Sequence, residues 1–209
     1  MKKLFICIIS LLSFQLATAQ TNVDAILVKV KENLFANNLT QFDFTISIVN
    51  FEANFHNEQE GTLIASQDKF ILDLKEQAKV MFNGKTRWTI IDEDEEIQIS
   101  GVDEDEEAEL SFSKYFENYR DDYTVKMGKS VVKDQSKILL TPKDSESDTK
   151  LIEVQVNNSD YSVASISEHG KNGTIRNVKI KTFKVLEKGS VSFEPNMDSY
   201  KSYEVIDMR

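Results

Sequence analysis

Thiol chemistry is nearly absent from this chain: among 209 residues the one cysteine is Cys7, and it sits inside an N-terminal apolar run from Leu4 to Leu16. Lys2 and Lys3 precede that run, and Ala17-Thr18-Ala19 follow it before Gln20. Basic, then apolar, then small is the order of a secretory signal peptide, with cleavage expected after Ala19 and export as the consequence. The expected organisation is a signal peptide over 1–19 and a single domain over 20–209. The mature chain then has no disulfide, no thiolate metal site and no cysteine nucleophile, so its core alone must hold it together in an oxidising compartment. No later apolar run reaches the length of a membrane-spanning helix.

Other absences narrow the chemistry. His56 and His169 are the only imidazoles. A zinc site needs three or four ligands and a catalytic histidine needs an orienting partner, which leaves no catalytic and no metal-binding residue to nominate. Neither G-x-S-x-G nor G-x-x-x-x-G-K-[ST] occurs, so the sequence argues against an enzyme and implies no cofactor. Basic residues are also few. Without Lys2 and Lys3 the chain carries 23 against 35 acidic residues, a net charge of −12, which suits neither nucleic acid nor an anionic lipid surface. Proline occurs only at 142 and 195, so little interrupts long strands.

What is present is alternation. Around Asn83-Gly84, a tight-turn pair, the arms Val80/Phe82 and Trp88/Ile90 each alternate apolar with polar residues, and we read a hairpin at the centre of an antiparallel sheet. A two-residue loop would put Val80 and Trp88 on opposite faces; a three-residue loop would put all four apolar residues on one. Turn chemistry favours the first and burial the second. Upstream, Val23, Ile26, Leu27, Val30 and Leu34 make one helical stripe that Asn22 can cap, ending near Asn37-Asn38. Phe42, Phe44, Ile46 and Ile48 then change the period to two, and Gly61 to Ala65 and Phe70, Leu72 and Leu74 continue as strands.

Two acidic runs, 92–96 and 103–107, flank Ile97 to Val102. They lack the spacing of a calcium loop and read as solvated turns, the second favouring a helix that presents Phe112, Tyr115, Phe116 and Tyr119. Strand-like runs follow at Tyr123 to Met127, Ser130 to Val132, Lys137 to Thr141, Leu151 to Val156 and Val163 to Ser167. Asn172-Gly173 turns into a long strand, Thr174 to Leu186, whose alternation slips between Ile180 and Phe183 as at a bulge. Val191 and Phe193 suggest a last short strand. The expected fold is mainly β: a strongly curved antiparallel sheet, an incomplete half-barrel, crossed by two amphipathic helices.

In order along the chain, the first helix, the Phe42 to Ile48 strand, E-G-T-L at Glu60 to Leu63 and N-G-K-T-R-W at Asn83 to Trp88 resemble the LolA-like periplasmic carriers of outer-membrane lipoproteins. So do L-L-T-P-K at Leu139 to Lys143, N-G-T-I at Asn172 to Ile175 and S-F-E-P at Ser192 to Pro195. The resemblance implies helices acting as a lid over an apolar cavity. It implies acylated lipoproteins as cargo, an inner-membrane lipoprotein-releasing transporter as donor, an outer-membrane acceptor, and a monomer without stable membrane insertion. The cavity wall is expected from Phe44, Ile46, Ile48, Phe70, Leu72, Phe82, Trp88 and Ile90, and the lid from Phe112, Tyr115 and Phe116. Where enteric members carry an Arg-Pro pair that latches the lid, this chain has Ser66-Gln67-Asp68-Lys69. A different use of the same fold is a lipid- or lipoprotein-sensing interaction module that binds without delivering.

Overall fold

The computed structural model describes residues 23–33, 39–66, 69–101 and 119–209. Twelve strands form one sheet: β1 (Leu39–Asn50), β2 (Phe55–Ser66), β3 (Lys69–Leu74), β4 (Ala78–Phe82), β5 (Arg87–Ile91), β6 (Glu96–Ser100), β7 (Tyr123–Gly128), β8 (Gln135–Pro142), β9 (Thr149–Asn157), β10 (Val163–Gly170), β11 (Thr174–Leu186) and β12 (Glu204–Asp207). Their order is β12-β6-β5-β4-β3-β2-β1-β11-β10-β9-β8-β7, so the sheet is curved but unclosed, with β12 and β7 at its two edges. Every neighbouring pair is antiparallel except β12 on β6, which is parallel. The helices described are α1 (residues 23–33), α2 (Tyr119–Asp122) and a 3-10 turn, Met197–Tyr200.

Pairing fixes the faces, because directly opposed residues point the same way. Ile46 pairs with Val178, Val178 with Ile166, and Ile166 with Val154, so these four share a face. On that helix face α1 sets down Val23, Ile26, Leu27 and Val30 against Ile138, Leu140, Ile152, Val154 and Ile166. The described part of the stripe predicted at 3-4-3-4 spacing, Val23 to Val30, is therefore the part that is buried, with Leu27 1% and Val30 0% exposed; Leu34 lies outside the described residues. Polar contacts fix the ends of α1: the Tyr119 hydroxyl donates to Asp24 at 2.9 Å, Arg120 pairs with the same carboxylate, and Asn33 Nδ2 donates to the Asp160 carbonyl at 2.6 Å.

The opposite face has its own apolar patch. Ile71, Met81, Ile90, Ile97 and Ile99 are covered by Val191, Phe193, Tyr200 and Tyr203 from the segment after β11. Val191 and Phe193 lie in irregular chain rather than in the expected strand, and Ser130 to Val132 are likewise a β7–β8 loop. In both places the apolar residues are too few for a strand, and the second has Val131 88% exposed. The slip expected in β11 is a bulge: Asp43 pairs with Thr182 and Phe44 with Ile180, leaving Lys181 as the extra residue.

Candidate functional site

The central hairpin settles the register left open by the sequence. Phe82 pairs with Arg87, Val80 with Thr89 and Met81 with Trp88, so the loop is four residues, Asn83 to Thr86. Asn83 builds it, its Oδ1 accepting from the Lys85 and Thr86 amides at 3.0 and 2.9 Å while Gly84 takes φ 92°. An even loop puts Val80 and Phe82 on the helix face and Trp88 and Ile90 on the other. The expectation that Trp88 and Ile90 share a wall with Phe82 is thus corrected: they belong to the patch beneath Val191, Phe193, Tyr200 and Tyr203. Burial on two faces, rather than one, satisfies the alternation of both arms.

Of the remaining six wall residues, five come together and Ile48 sits next along β1. Phe44, Ile46, Phe70 and Leu72 lie in one cluster on the helix face with Phe42, Leu63, Leu74, Val178 and Ile180. Phe82 joins through the Phe70 ring, centroids 5.5 Å apart, and Ile48 continues the row along β1 opposite Arg176. Phe42, Leu63, Leu72 and Val80 make one cross-strand row, and Ala65, Phe70, Phe82 and Arg87 the next. Among the described residues only strands contribute to this cluster, whereas its neighbour on the same face is roofed by α1. Phe42, Ile46, Phe70, Leu72, Leu74 and Ile180 stay only partly buried. Phe112, Tyr115, Phe116 and the Gln67-Asp68 pair lie outside the described residues.

Three features were not nominated from sequence. Gly61 faces Phe44 across the β1–β2 pair, and a Cβ there would stand 2.5 Å from the Phe44 ring. Its missing side chain is what lets the ring lie flat on the sheet; the E-G-T-L motif held the signal. Arg87 brings a guanidinium to the end of the Phe82 row, 7% exposed, where an arginine inside strand alternation was the clue. Leu63 is 7% exposed at the middle of the cluster, visible as the apolar member of Gly61 to Ala65.

Behind this apolar wall the opposite face is a polar ladder. Asp43 accepts from Thr182 at 2.5 Å, Thr62 at 2.9 Å and Gln41 at 3.2 Å, and these bonds, Thr182 first, hold its carboxyl below the ordinary value. Glu60 accepts from Lys181 and from Lys75, and its carboxyl falls to about 2. The bulge is what turns both Lys181 and Thr182 to that face. The first acidic run is the β5–β6 turn, with Asp92 accepting from the Tyr203 hydroxyl at 3.0 Å; the second lies outside the described residues. Among the described residues no three His, Cys, Asp or Glu side chains gather as a metal site, and no helix is long and apolar enough to cross a membrane.

Among the described residues this face is a partly buried wall of aromatic and aliphatic side chains, which offers apolar contact and few hydrogen bonds. No family model matches the chain, and no curated protein matches it in sequence. Among solved structures it is similar to an uncharacterized conserved protein from Thermus thermophilus, at 12% identity and a TM-score of 0.57, over 89% of this chain and 99% of that one. It is also similar to the LolA superfamily protein NE2245 from Nitrosomonas europaea, at 12% identity and a TM-score of 0.43, over 83% and 97%. A third likeness is to the Pseudomonas aeruginosa MucA/MucB complex, at 16% identity and a TM-score of 0.42, over 86% of this chain and 60% of that one. The Thermus likeness is one of fold: it places the chain among proteins built on this unclosed sheet.

Proposed function

We propose that this protein is a periplasmic carrier that holds the acyl chains of lipoproteins against the helix face of its sheet and moves them from the inner to the outer membrane. The observation behind the reading is the cluster of Phe44, Leu63 and Val178 with Ile46, Phe70 and Leu72, to which only strands contribute among the described residues, beside an equally apolar cluster roofed by α1. Six apolar side chains of one face stay only partly buried, as suits a site that must take and release an apolar ligand. The resemblance of the ordered motifs to the LolA-like carriers supports this cargo, and the basic, apolar, small order of the N-terminus supports this compartment.

Each buried methylene contributes about 0.8 kcal/mol, so a sixteen-carbon chain crossing water uncovered costs about 12 kcal/mol. Apolar side chains lower that cost by replacing water around the chain. With no nucleotide-binding motif, the protein adds no energy of its own, and transfer runs down a difference in affinity between a transporter that loads it and an acceptor that unloads it.

The test is native mass spectrometry of the mature chain, Gln20 to Arg209, prepared without detergent and offered a diacylated peptide. Wild type should show the adduct. Ile46→Asp and Leu72→Asp, half-buried on the helix face, should lose it while keeping their melting transitions, and Thr45→Asp on the opposite face should keep it. Adducts in all three variants would remove the helix face as the site. Release of bound peptide to acceptor membranes separates a carrier from a sensing module, which would hold it.

A further inference from the structure

We infer that the tip of the β1–β2 hairpin, Phe51 with Phe55, is a contact for a zwitterionic lipid surface. The inference deepens the carrier reading and rests on it for why such a surface should be met. Phe51 is 79% exposed and Phe55 48%, yet neither is on a loose loop. Asn50 Oδ1 accepts from the Ala53 amide at 2.9 Å, the Asn54 amide reaches the Phe51 carbonyl, and Asn54 takes φ 48°. Asn50 Nδ2 also donates to Thr174 Oγ1 at 2.9 Å and to the Asn172 carbonyl at 3.2 Å, bracing the tip against the β10–β11 turn. Phe51 is therefore held out in water by a built turn.

The hairpin also outruns its other neighbour. β3 pairs with β2 only as far as Gly61, and the turn after β3 reaches Glu60 and Gln59, so Phe55 to Glu58 stand clear by about 13 Å at 3.3 Å per residue. Two exposed aromatic rings on a projecting corner suit a surface that can yield around them. A lipid interface does so, and phenylalanine rings bury at the boundary between headgroups and acyl chains. Phe55 lies on the helix face, paired with Asn50 and one step along that face from the Ile48–Asn57 pair, so the ring is on the side of the sheet that carries the apolar wall.

Charge chooses the lipid. The tip itself carries Glu52, and the other turns at this end of the sheet carry Glu76, Asp92, Glu93, Asp94 and Glu95, and Asp144, Glu146 and Asp148, against Lys75, Lys143 and Lys171. An anionic bilayer would be repelled, leaving a net-neutral headgroup layer as the surface that admits the rings.

The mature chain is tested by sedimentation with vesicles of phosphatidylcholine and phosphatidylethanolamine, with and without added phosphatidylglycerol. Wild type should partition into the neutral vesicles, Phe51→Ser should lower the partition constant about tenfold, and phosphatidylglycerol should weaken it. Val131→Ser, equally exposed at the other end of the sheet, should change nothing. The inference is overturned if wild type stays in the supernatant, if Phe51→Ser partitions as wild type does, if Val131→Ser loses as much, or if binding grows with phosphatidylglycerol and falls with salt. Acyl-peptide uptake in vesicle-free solution is measured alongside: Phe51→Ser should retain it. Absence of uptake in wild type, with Phe51-dependent partition intact, would remove the carrier reading and leave the tip standing.

Discussion

At Gly61 the helix face carries no side chain, and the Phe44 ring from β1 occupies the space with one ring carbon 2.5 Å from where a Cβ would stand. Gly61→Ala must push the ring off the sheet, because the Asp73 carbonyl at 3.1 Å blocks the backbone from yielding the other way. Overpacking of this kind should lower stability by about 1–3 kcal/mol in urea unfolding, and Phe44→Leu in the same chain should recover part of it. An unchanged midpoint would mean that the ring swings aside without resistance. Glu60, the next residue along β2 and exposed on the opposite face, makes a second prediction. Its carboxyl is lowered from 4.5 to about 2 by Lys181 first and Lys75 second. A depressed carboxylate stabilises fully above its unfolded value and loses that contribution as pH falls through the folded one. Glu60→Gln should therefore melt below wild type at pH 7, and the gap should close between the unfolded value of 4.5 and the folded value of about 2. Added salt should shrink the gap at neutral pH, since the pair is screened. A gap that persists at the acid end would assign the effect to something other than this charge.

The elements of the fold are unequally legible in the sequence, and the reason is which signals are local. α1 shows itself as five apolar residues at helical spacing; Val23, Ile26, Leu27 and Val30 are buried, and Leu34 lies outside the described residues. Leu27→Ala should cost about 2–5 kcal/mol in denaturant unfolding, since a side chain 1% exposed leaves a cavity that the rigid strands beneath cannot close. The bulge in β11 is also local, a break in alternation at Lys181. The covering of Trp88 is not. Val191, Phe193, Tyr200 and Tyr203 follow neither a period of two nor of 3.6, so nothing near them in sequence says that they lie on Ile90 and Ile97. Without that cover, burial has to be assigned to one face, and Trp88 and Ile90 fall in with Phe82. Because Trp88 is the only tryptophan, removing residues 190–209 should shift its fluorescence to longer wavelength and lower the melting temperature. Emission unchanged from the full chain would mean that the cover contributes nothing to the burial of Trp88.

Across the whole molecule, the neighbours that sequence can propose are those joined by short turns, and β2 through β6 and β7 through β11 follow that rule. Two joins do not. β1 meets β11 over their full lengths, from Leu39 on Leu186 to Asn50 on Thr174, and β12 meets β6 in parallel. The first of these joins makes one wall of two hairpin arrays. The row Val178, Ile46 and the row Ile180, Phe44 carry the apolar surface from the part roofed by α1 to the part to which, among the described residues, only strands contribute. A ligand on this wall therefore touches both halves and should stabilise the sheet as one cooperative unit. At a free concentration one hundred times its Kd, a ligand that binds only the folded chain adds about 2.7 kcal/mol. For a domain of this size that corresponds to a rise of about 5–10 °C in Tm. We expect a diacylated peptide to produce such a shift in wild type and in Thr45→Asp, and to produce none in Ile46→Asp, whose carboxylate would sit at the join between β1 and β11. An equal shift in all three would place binding away from this wall. A shift in wild type that appears only with residues 190–209 removed would place it on the opposite face, beside Trp88 and Ile90.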